Sequence, residues 1–585
     1  MVKRFGKWMA MAAVAVLVSS VAVMAQGGKE FKTVATVSVA SGDSLVQQLK
    51  TFGDLVGENL YGSVAREVSA NQSADLLINA AIDGSQPAGL VVKVSTDGFS
   101  KQIVGFVPVK NFDAVRKVAE DALKLEVKEC DTDGLYTVSR DGQSIYAKPM
   151  GGWLLLSDEA DAFVAVGENP AEQLDGLDQE YAFAVRFQPC NVPFTVREMI
   201  LMGLNQGLRE LASHCPEKSP EADAKKEKLV GMVVERGRIV LTDTESVTYG
   251  VKVDATQGLR FTAICKAVDG SGMAEYFARL AEVKNPMDGL LPDTTAIAAG
   301  IFFPVDAQKT EIRKFLFGMV RECISKELDA GAAEKIASKV SEHTDESVSA
   351  GQVTAFIHQI LDAHAAGIEA AVIRGGFAVI ADPGRPTFFA TVGCNGKWAE
   401  EIAGQIWEMA VKAAKKSGKC PIDVEKILTP NVAEVKDASI HLLSGPTWAE
   451  IAAAKKADSE DFKLATELLG ERPQAATIFS RYGVGIVVAR DPVELVKSRV
   501  AELTIVEAKP VLFEGFVSLR SMISLATMIH PSGNDAAVDA VLNASGSDPD
   551  RVTLKTTAEG RSVTTELKFD TGFIRGVAAG VKANP

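Results

Sequence analysis

"IYAKPMGGWLLLSDEADAF", residues 145–163, can be laid beside "IFSRYGVGIVVARDPVEL", residues 478–495, without a gap. At that offset Gly152 meets Gly485, Trp153 meets Ile486, Leu154 and Leu155 meet Val487 and Val488, and Asp158 meets Asp491. Each stretch has an apolar run, a glycine-bearing turn, a second apolar run and an acidic residue where a helix would begin. The pattern reads as a β-turn-β-helix scaffold element. Asp158 and Asp491 fall where a carboxylate can accept from the free N–H groups of a helix start, so both are expected to be caps.

The flanks correspond as well. "YAFAVRF" leads into "TVREMILMGLNQGLREL" after the first copy, and "PVLFEGFVSL" leads into "RSMISLATMI" after the second. Alternating segments and a closing helix then follow in both: "SVTYGVKVDATQGLRFTAICKAVDGSGMAEYFARL" and "RVTLKTTAEGRSVTTELKFDTGFIRGVAAGV". Three correspondences in one order predict an internal duplication. The expected domains are 26–285 and 293–585, joined by a linker at 286–292 that contains the breakers Pro286, Gly289 and Pro292.

Within each half the periodicity shifts between strand and helix. "VTYGVKV" and "LRFTAIC" alternate as strands do, while Phe112, Val115, Ala119 and Leu123 share a helical face after the N-cap residue Asn111. Trp398, Ile402, Ile406, Met409 and Ala413 make another such stripe. Thr195 and Glu198 have the spacing of a capping box ahead of Ile200, Leu204, Leu208 and Leu211. Residues 213–228, with charges and two prolines, read as an exposed excursion, and residues 530–550 hold the matching place in the second half. The expected fold class is α+β: two similar domains, each an antiparallel or mixed sheet with helices packed on one face.

The N-terminus has the three parts of a secretory signal. Lys3, Arg4 and Lys7 precede an apolar stretch from Trp8 to Val18, and Val23 and Ala25 supply small residues before a cut at Gln26. Cleavage after residue 25 takes the formal charge from -14 to -17. No later apolar run reaches the roughly 18 residues of a spanning helix, so a soluble mature chain without a transmembrane segment is expected, in the periplasm or secreted. An acidic chain repels phosphate backbones, which argues against nucleic acid as a partner. The basic runs at 225–228 and 412–416 lie among acids or on a predicted helix, as solvated faces do.

Chemistry-bearing motifs are few. Ser157 lacks the flanking glycines of a G-x-S-x-G elbow, and Arg490 takes its place in the second copy. "HQILDAH" sets His358 and His364 six apart without the glutamate of a zinc helix. Ser271 in "VDGSGMAEYF" has no P-loop lysine and reads as a turn and N-cap. The seven cysteines are odd in number and widely spaced, unlike a disulfide scaffold or a C-x2-C zinc site, although one or two disulfides are compatible with export. No catalytic, cofactor-binding or metal residue is assigned.

The order of "FVPVKNFDAVRKVAEDAL", "YAKPMGGWLLLSDEADAF" and "YAFAVRFQPCNVPFTVREMILMGL" resembles a group of large exported proteins of planctomycete-type bacteria. That resemblance implies export and a duplicated α+β build and transfers no site. The expectation is a non-catalytic binding or structural protein of the periplasm or envelope, with an unknown protein or envelope ligand as partner. Two alternatives accompany it: an envelope hydrolase whose acids and hydroxyls converge only in the fold, and a carrier of a lipid or other apolar ligand.

Overall fold

The computed structural model describes residues 30–583 apart from 71–80, 122, 133, 215–218, 283–291, 306, 344–346, 370–371, 383–384, 394–395, 418–423, 436–437, 456–461, 481–482, 503–510 and 530–534. The expected signal segment and nearly all of the expected linker lie outside the described residues. The chain divides into two compact units. The first comprises residues up to Phe277 with Ala540–Asp550 and Gly560–Pro585; the second comprises Ala278–Asp539 with Arg551–Glu559.

The strands of the first unit are β1 (Phe31–Val39), β2 (Ala88–Ser95), β3 (Lys101–Pro108), β4 (Glu126–Glu129), β5 (Tyr136–Arg140), β6 (Gln143–Met150), β7 (Trp153–Ser157), β8 (Phe183–Phe187), β9 (Thr244–Asp254) and β10 (Gly258–Ala267), joined by β20 (Ser562–Phe569). Its helices include α1 (Gly42–Val56), α2 (Leu60–Ser69), α3 (Phe112–Asp121), α4 (Phe194–Ser213), α5 (Pro220–Asp243), α6 (Gly272–Ala281) and the C-terminal Thr571–Ala583. The strands pair antiparallel throughout, in the order β4-β5-β6-β7-β3-β2-β1-β8-β9-β10-β20. Lys582, in the C-terminal helix, donates to the carbonyls of Val56 (2.8 Å) and Gly57 (2.9 Å), closing the end of α1 as a cation does at a helix C-terminus.

The second unit contains β11 (Thr295–Pro304), β12 (Val372–Ile380), β13 (Thr387–Val392), β14 (Leu428–Val435), β15 (Ala438–Ser444), β16 (Gln474–Ser480), β17 (Gly483–Val488), β18 (Val511–Ser518) and β19 (Arg551–Glu559). Its helices include α7 (Ala307–Glu327), α8 (Ala333–His343), α9 (Ala350–Glu369), α10 (Gly396–Ser417), α11 (Pro492–Glu502) and α12 (Leu519–Ile529). The order is β14-β15-β16-β17-β13-β12-β11-β18-β19, again antiparallel. Adding ten to each strand number of the first unit's order, from β4 to β9, reproduces this one.

The quoted segment is β6, a two-residue turn and β7. Met150 pairs with Trp153 across Gly151 (φ 59°) and Gly152 (φ 87°). Two positive φ values in a two-residue loop are what a tight hairpin turn with the native twist demands, which is why both residues are glycine. The gapless match to residues 478–495 is overturned in register. There Ser480 pairs with Gly483, and Gly485 sits inside β17 opposite Ile478. Counted from the turn, Trp153 corresponds in place to Gly483, three residues before Ile486. An odd slip exchanges the two faces of a strand.

The expectation of helices on one face only is also corrected. On the β7 strand Leu155 joins Phe106, Trp153, Phe163 and Leu174 under the short turns Ala160–Ala165 and Pro170–Leu174. Its neighbour Leu154 points the other way and packs with Phe112 and Val115 of α3. This end of the sheet is covered on both sides because its strands are apolar on both sides.

Several local expectations meet the structure directly. Asn111 caps α3 by accepting from Ala114 N at 3.2 Å, and Ser271 accepts from Ala274 N at 3.1 Å. Asp158 is no cap: the turn that follows begins at Ala160 after extended Glu159, and Ser157 Oγ accepts from Glu159 N instead. Thr195 and Glu198 form no capping box, since Pro193 is the N-cap of α4, Thr195 donates to Asp97 O and Glu198 pairs with Arg238. The described residues of 213–228 are mostly exposed, and from Pro220 they are helical: Ser219 caps α5, accepting from Ala222 N at 3.1 Å, with Pro220 in the first turn. In the same way Asp535–Ser545 is helical within 530–550.

Candidate functional site

The strands at the centre of the first unit alternate strictly: Phe183, Val185 and Phe187 against Ala184 and Arg186 on β8; Val247, Tyr249, Val251 and Val253 against Thr248, Gly250 and Lys252 on β9. On an antiparallel sheet with one solvated face, such alternation normally puts the apolar set inside. Here the sides are exchanged. Thr36, Ser38 and Thr248 are buried, whereas Phe183 (37%), Phe187 (39%), Tyr249 (59%) and Phe261 (40%) are exposed.

Pairing aligns the apolar residues in rows across six strands, from β2 through β1, β8, β9 and β10 to β20. One row is Ala88, Val39, Phe183, Val251, Phe261 and Leu567; the next is Leu90, Val37, Val185, Tyr249, Ala263 and Thr565; the third is Val92, Ala35, Phe187, Val247, Cys265 and Val563. At strand and residue spacings of about 4.8 and 3.4 Å, the field measures about 24 by 14 Å. That is roughly 340 Å², within the size of the largest apolar patches on monomeric proteins, which are often functional. No row contains a charged residue.

The reverse side explains why the polar set is inside. Gly250 leaves room for the ring of Tyr181, since a Cβ there would lie 2.2 Å from Tyr181 Cδ1, and a Cβ on Gly89 would meet Leu174 at 2.6 Å. These two side chains close this face from the segment between β7 and β8. Burial, aided by a hydrogen bond with Glu180, pushes the Tyr181 phenol up. Arg186 donates to Asp175 at 2.5 Å and to Thr248 Oγ1 at 3.2 Å, and Arg260 stands 3.6 Å from Glu566. Ser38 Oγ and Arg260 Nε are buried without a hydrogen-bond partner, a cost the apolar arrangement would have avoided.

Charged groups bound the field at one strand end. Glu245 pairs with Lys266 at 2.6 Å and with Arg561, which also donates to Ala267 O at 2.8 Å; these cations hold the Glu245 carboxyl below its usual range against the opposing effect of burial. At the other end Phe569 packs between Phe261 (6.3 Å) and Phe573 of the C-terminal helix (6.2 Å).

Elsewhere the chemistry-bearing residues serve structure. In the second unit His441 Nε2 lies 2.8 Å from Glu400 on α10, and its ring meets Phe479 edge-on at 5.2 Å. Asp362 pairs with Arg321 at 2.7 Å and His364 packs on Phe317, so "HQILDAH" is divided between helix contacts. Beside β7, burial and the neighbouring Asp158 and Asp161 push the Glu159 carboxyl up. Among the described residues no group of three or more His, Cys, Asp or Glu is placed to hold a metal ion, and no helix is long and apolar enough to cross a membrane. Cys130, Cys190, Cys265 and Cys323 are free thiols.

Comparison with known proteins returns no match: no family model, no curated protein and no solved structure is similar to this chain.

Proposed function

We propose that the chain is an exported, non-catalytic binding protein derived from two copies of one α+β unit, and that it holds an apolar ligand on the outward strand face of the first unit. The observation that carries the reading is the reversed polarity of β8, β9 and β10, with Phe183, Phe187, Tyr249 and Phe261 outside and Thr248 inside. Full burial of a large apolar side chain stabilises by roughly 1.5–3 kcal/mol, so four part-covered rings leave several kcal/mol for a ligand to realise. The shared nine-strand order supports the duplication, and Lys3, Arg4 and Lys7 ahead of an apolar stretch support export.

Of the readings open at the sequence level, that of an apolar-ligand carrier gains most. Such a ligand asks only for an uncharged surface, and acid–base hydrolysis would need carboxylates that this field does not carry. The test is mass spectrometry of organic extracts from the purified native protein and from the Phe183→Ser, Phe261→Ser double variant. We expect an apolar small molecule at near-stoichiometric amount with the parent chain and at least tenfold less with the variant, whose thermal unfolding stays within a few degrees. Equal recovery from both, or none from the parent chain, contradicts the proposal.

A further inference from the structure

The spacing of Ile200, Leu204, Leu208 and Leu211 gives α4 one apolar face, yet Ile200 (48%), Leu204 (37%) and Leu211 (70%) are exposed. Contacts with α5 orient that face. Glu198 pairs with Arg238 and Arg209 with Glu227, so the two helices run antiparallel, and a Cβ on Gly237 would meet Leu204 at 3.1 Å and Leu201 at 3.3 Å across the seam. The ion pairs therefore line one broad side of a two-helix layer. At about 100° per residue, the opposite side receives Ile200, Leu204, Gly207 and Leu211 from α4 and Leu229, Val233 and Val240 from α5. Val240 is exposed as well, at 41%. Lys226, which pairs with Asp223 at 3.4 Å, and Arg236 stand at the border of this side. A helix pair that met only water there would be polar on that side.

We infer that the apolar side of the α4–α5 hairpin is a self-association surface, covered by the same side of a second copy of this chain to make a four-helix bundle. Spacing and area choose the occupant. Ile200, Leu204, Gly207 and Leu211 recur at intervals of four, three and four residues, the rhythm at which helices interdigitate along a bundle seam, and a two-fold axis lets one such patch cover itself. The helices have 20 and 24 residues, so the side is about 30 Å long and, at about 10 Å per helix, about 20 Å wide. That is roughly 600 Å² per copy and roughly 1,200 Å² for two, the lower bound for a stable specific interface. The corresponding place between β18 and β19 supplies the contrast, since α12 and the helix Asp535–Ser545 have 11 residues each. Helices of about 16 Å would bury about half as much, too little to hold two proteins together. The same strand order is thus completed there by short helices, and the added length of α4 and α5 supplies the area that a dimer needs. This association lies on the hairpin, apart from the strand face proposed above for an apolar ligand, and either can fail without the other.

The experiment is sedimentation equilibrium of the full chain over a concentration range of about 1–100 μM. The variants are Ile200→Lys, Leu211→Lys and, as a control, Met202→Lys, whose side chain is 64% exposed but lies about 160° around α4 from Ile200. Far-UV circular dichroism checks that each keeps its helices. We expect a monomer–dimer equilibrium in the micromolar range for the parent chain. Ile200→Lys and Leu211→Lys, each of which places two ammonium groups in the shared seam, should raise the dissociation constant at least about tenfold, and Met202→Lys should leave it within about twofold. A parent chain that is monomeric throughout overturns the inference, as does a dimer indifferent to both seam variants or weakened equally by Met202→Lys. A monomer that instead floats with phosphatidylglycerol vesicles, and loses this in Ile200→Lys, gives the face to a membrane and overturns the second copy as its occupant.

Discussion

The two units share a strand order and differ in what they do with their central strands. In the second unit Ala298, Ala378 and Phe516 form a core on one side of β11, β12 and β18, and Phe377, Phe388, Val392 and Leu554 are exposed on the other. Both sides are apolar there, as expected of a sheet with two faces to cover. In the first unit the covered side of β8 and β9 mixes Arg186 and Thr248 with Ala184 and Gly250 under Leu177 and Tyr181, and the outward side is apolar. The difference separates an ordinary core that happens to show some rings from a face whose polarity has no folding rationale. The helical insertions differ too. The first unit spends residues 188–243 between β8 and β9 on the α4–α5 hairpin, held by Leu201 and Leu204 against Gly237 and by the Arg238–Glu198 pair. At the corresponding place between β18 and β19, residues 519–550 hold α12 and the helix Asp535–Ser545, of 11 residues each, shorter than α4 and α5.

The largest expected effect lies in the ordinary cores. Leu155→Ala empties a fully buried site and should destabilise the first unit by about 2–5 kcal/mol in urea unfolding. Val487→Ala, in the corresponding core of the second unit, removes less and should cost less. A Leu155→Ala cost under about 1 kcal/mol would break the equivalence of the two cores.

Next come two strand glycines, Gly250 on the covered side of β9 and Gly515 on the side of β18 that carries the exposed Leu554. Gly250→Ala forces a Cβ into the Tyr181 ring and should cost about 1–3 kcal/mol, whereas at Gly515 the nearest atom is Phe513 Cζ at 3.2 Å, and Ala should be tolerated within about 1 kcal/mol. Thermal unfolding of the two variants side by side gives the answer. If Gly250→Ala is neutral, Tyr181 does not close the polar side of β9, and the sharpest contrast between the units is lost.

The smallest effect is a pH dependence in the β9–β10 turn. The hydroxyl of Thr256 and the N–H groups of Thr256 and Gln257 donate to Asp254, which holds its carboxyl down to about 2 from an ordinary 3.8. A carboxyl lowered in the folded state adds stability that is fully present above the unfolded value and lost as the pH falls through the folded one. Asp254→Ala should therefore be less stable than the parent chain at pH 6, with the gap closing between about pH 4 and pH 2. A gap that is unchanged at pH 2 would mean the turn gains nothing from the carboxylate.

Much of this architecture is legible in the residues. Gly151 and Gly152 announce a tight turn, Asn111 announces the start of α3, and the alternation of "VTYGVKV" and "LRFTAIC" announces β9 and β10. Periodicity gives the spacing of a strand's faces but not which face is inside. The direction is set by Tyr181 and Leu174, which arrive from a distant segment to lie over Gly250 and Gly89, so the candidate face was not readable even though its residues were. The start of α5 was readable: Ser219, Pro220 and Glu221 are an N-cap, a proline in the first turn and an acid, a signal outweighed by the charge of the segment around it. Thr195 and Glu198 misled for the opposite reason, because tertiary partners took both side chains. The register between residues 145–163 and 478–495 is not legible in the residues, because apolar side chains on both sides of β7 make an odd slip look harmless.

The central claim, that the outward face of β8, β9 and β10 is covered by a ligand, is tested most directly by carbene footprinting of the chain as isolated and again after organic extraction and refolding. The expected result is low labelling of Phe183, Phe187, Tyr249 and Phe261 before extraction and a several-fold rise afterwards, with Phe377 and Phe388 of the second unit unchanged. Full labelling of the four residues in the isolated chain, with no change on extraction, would contradict it.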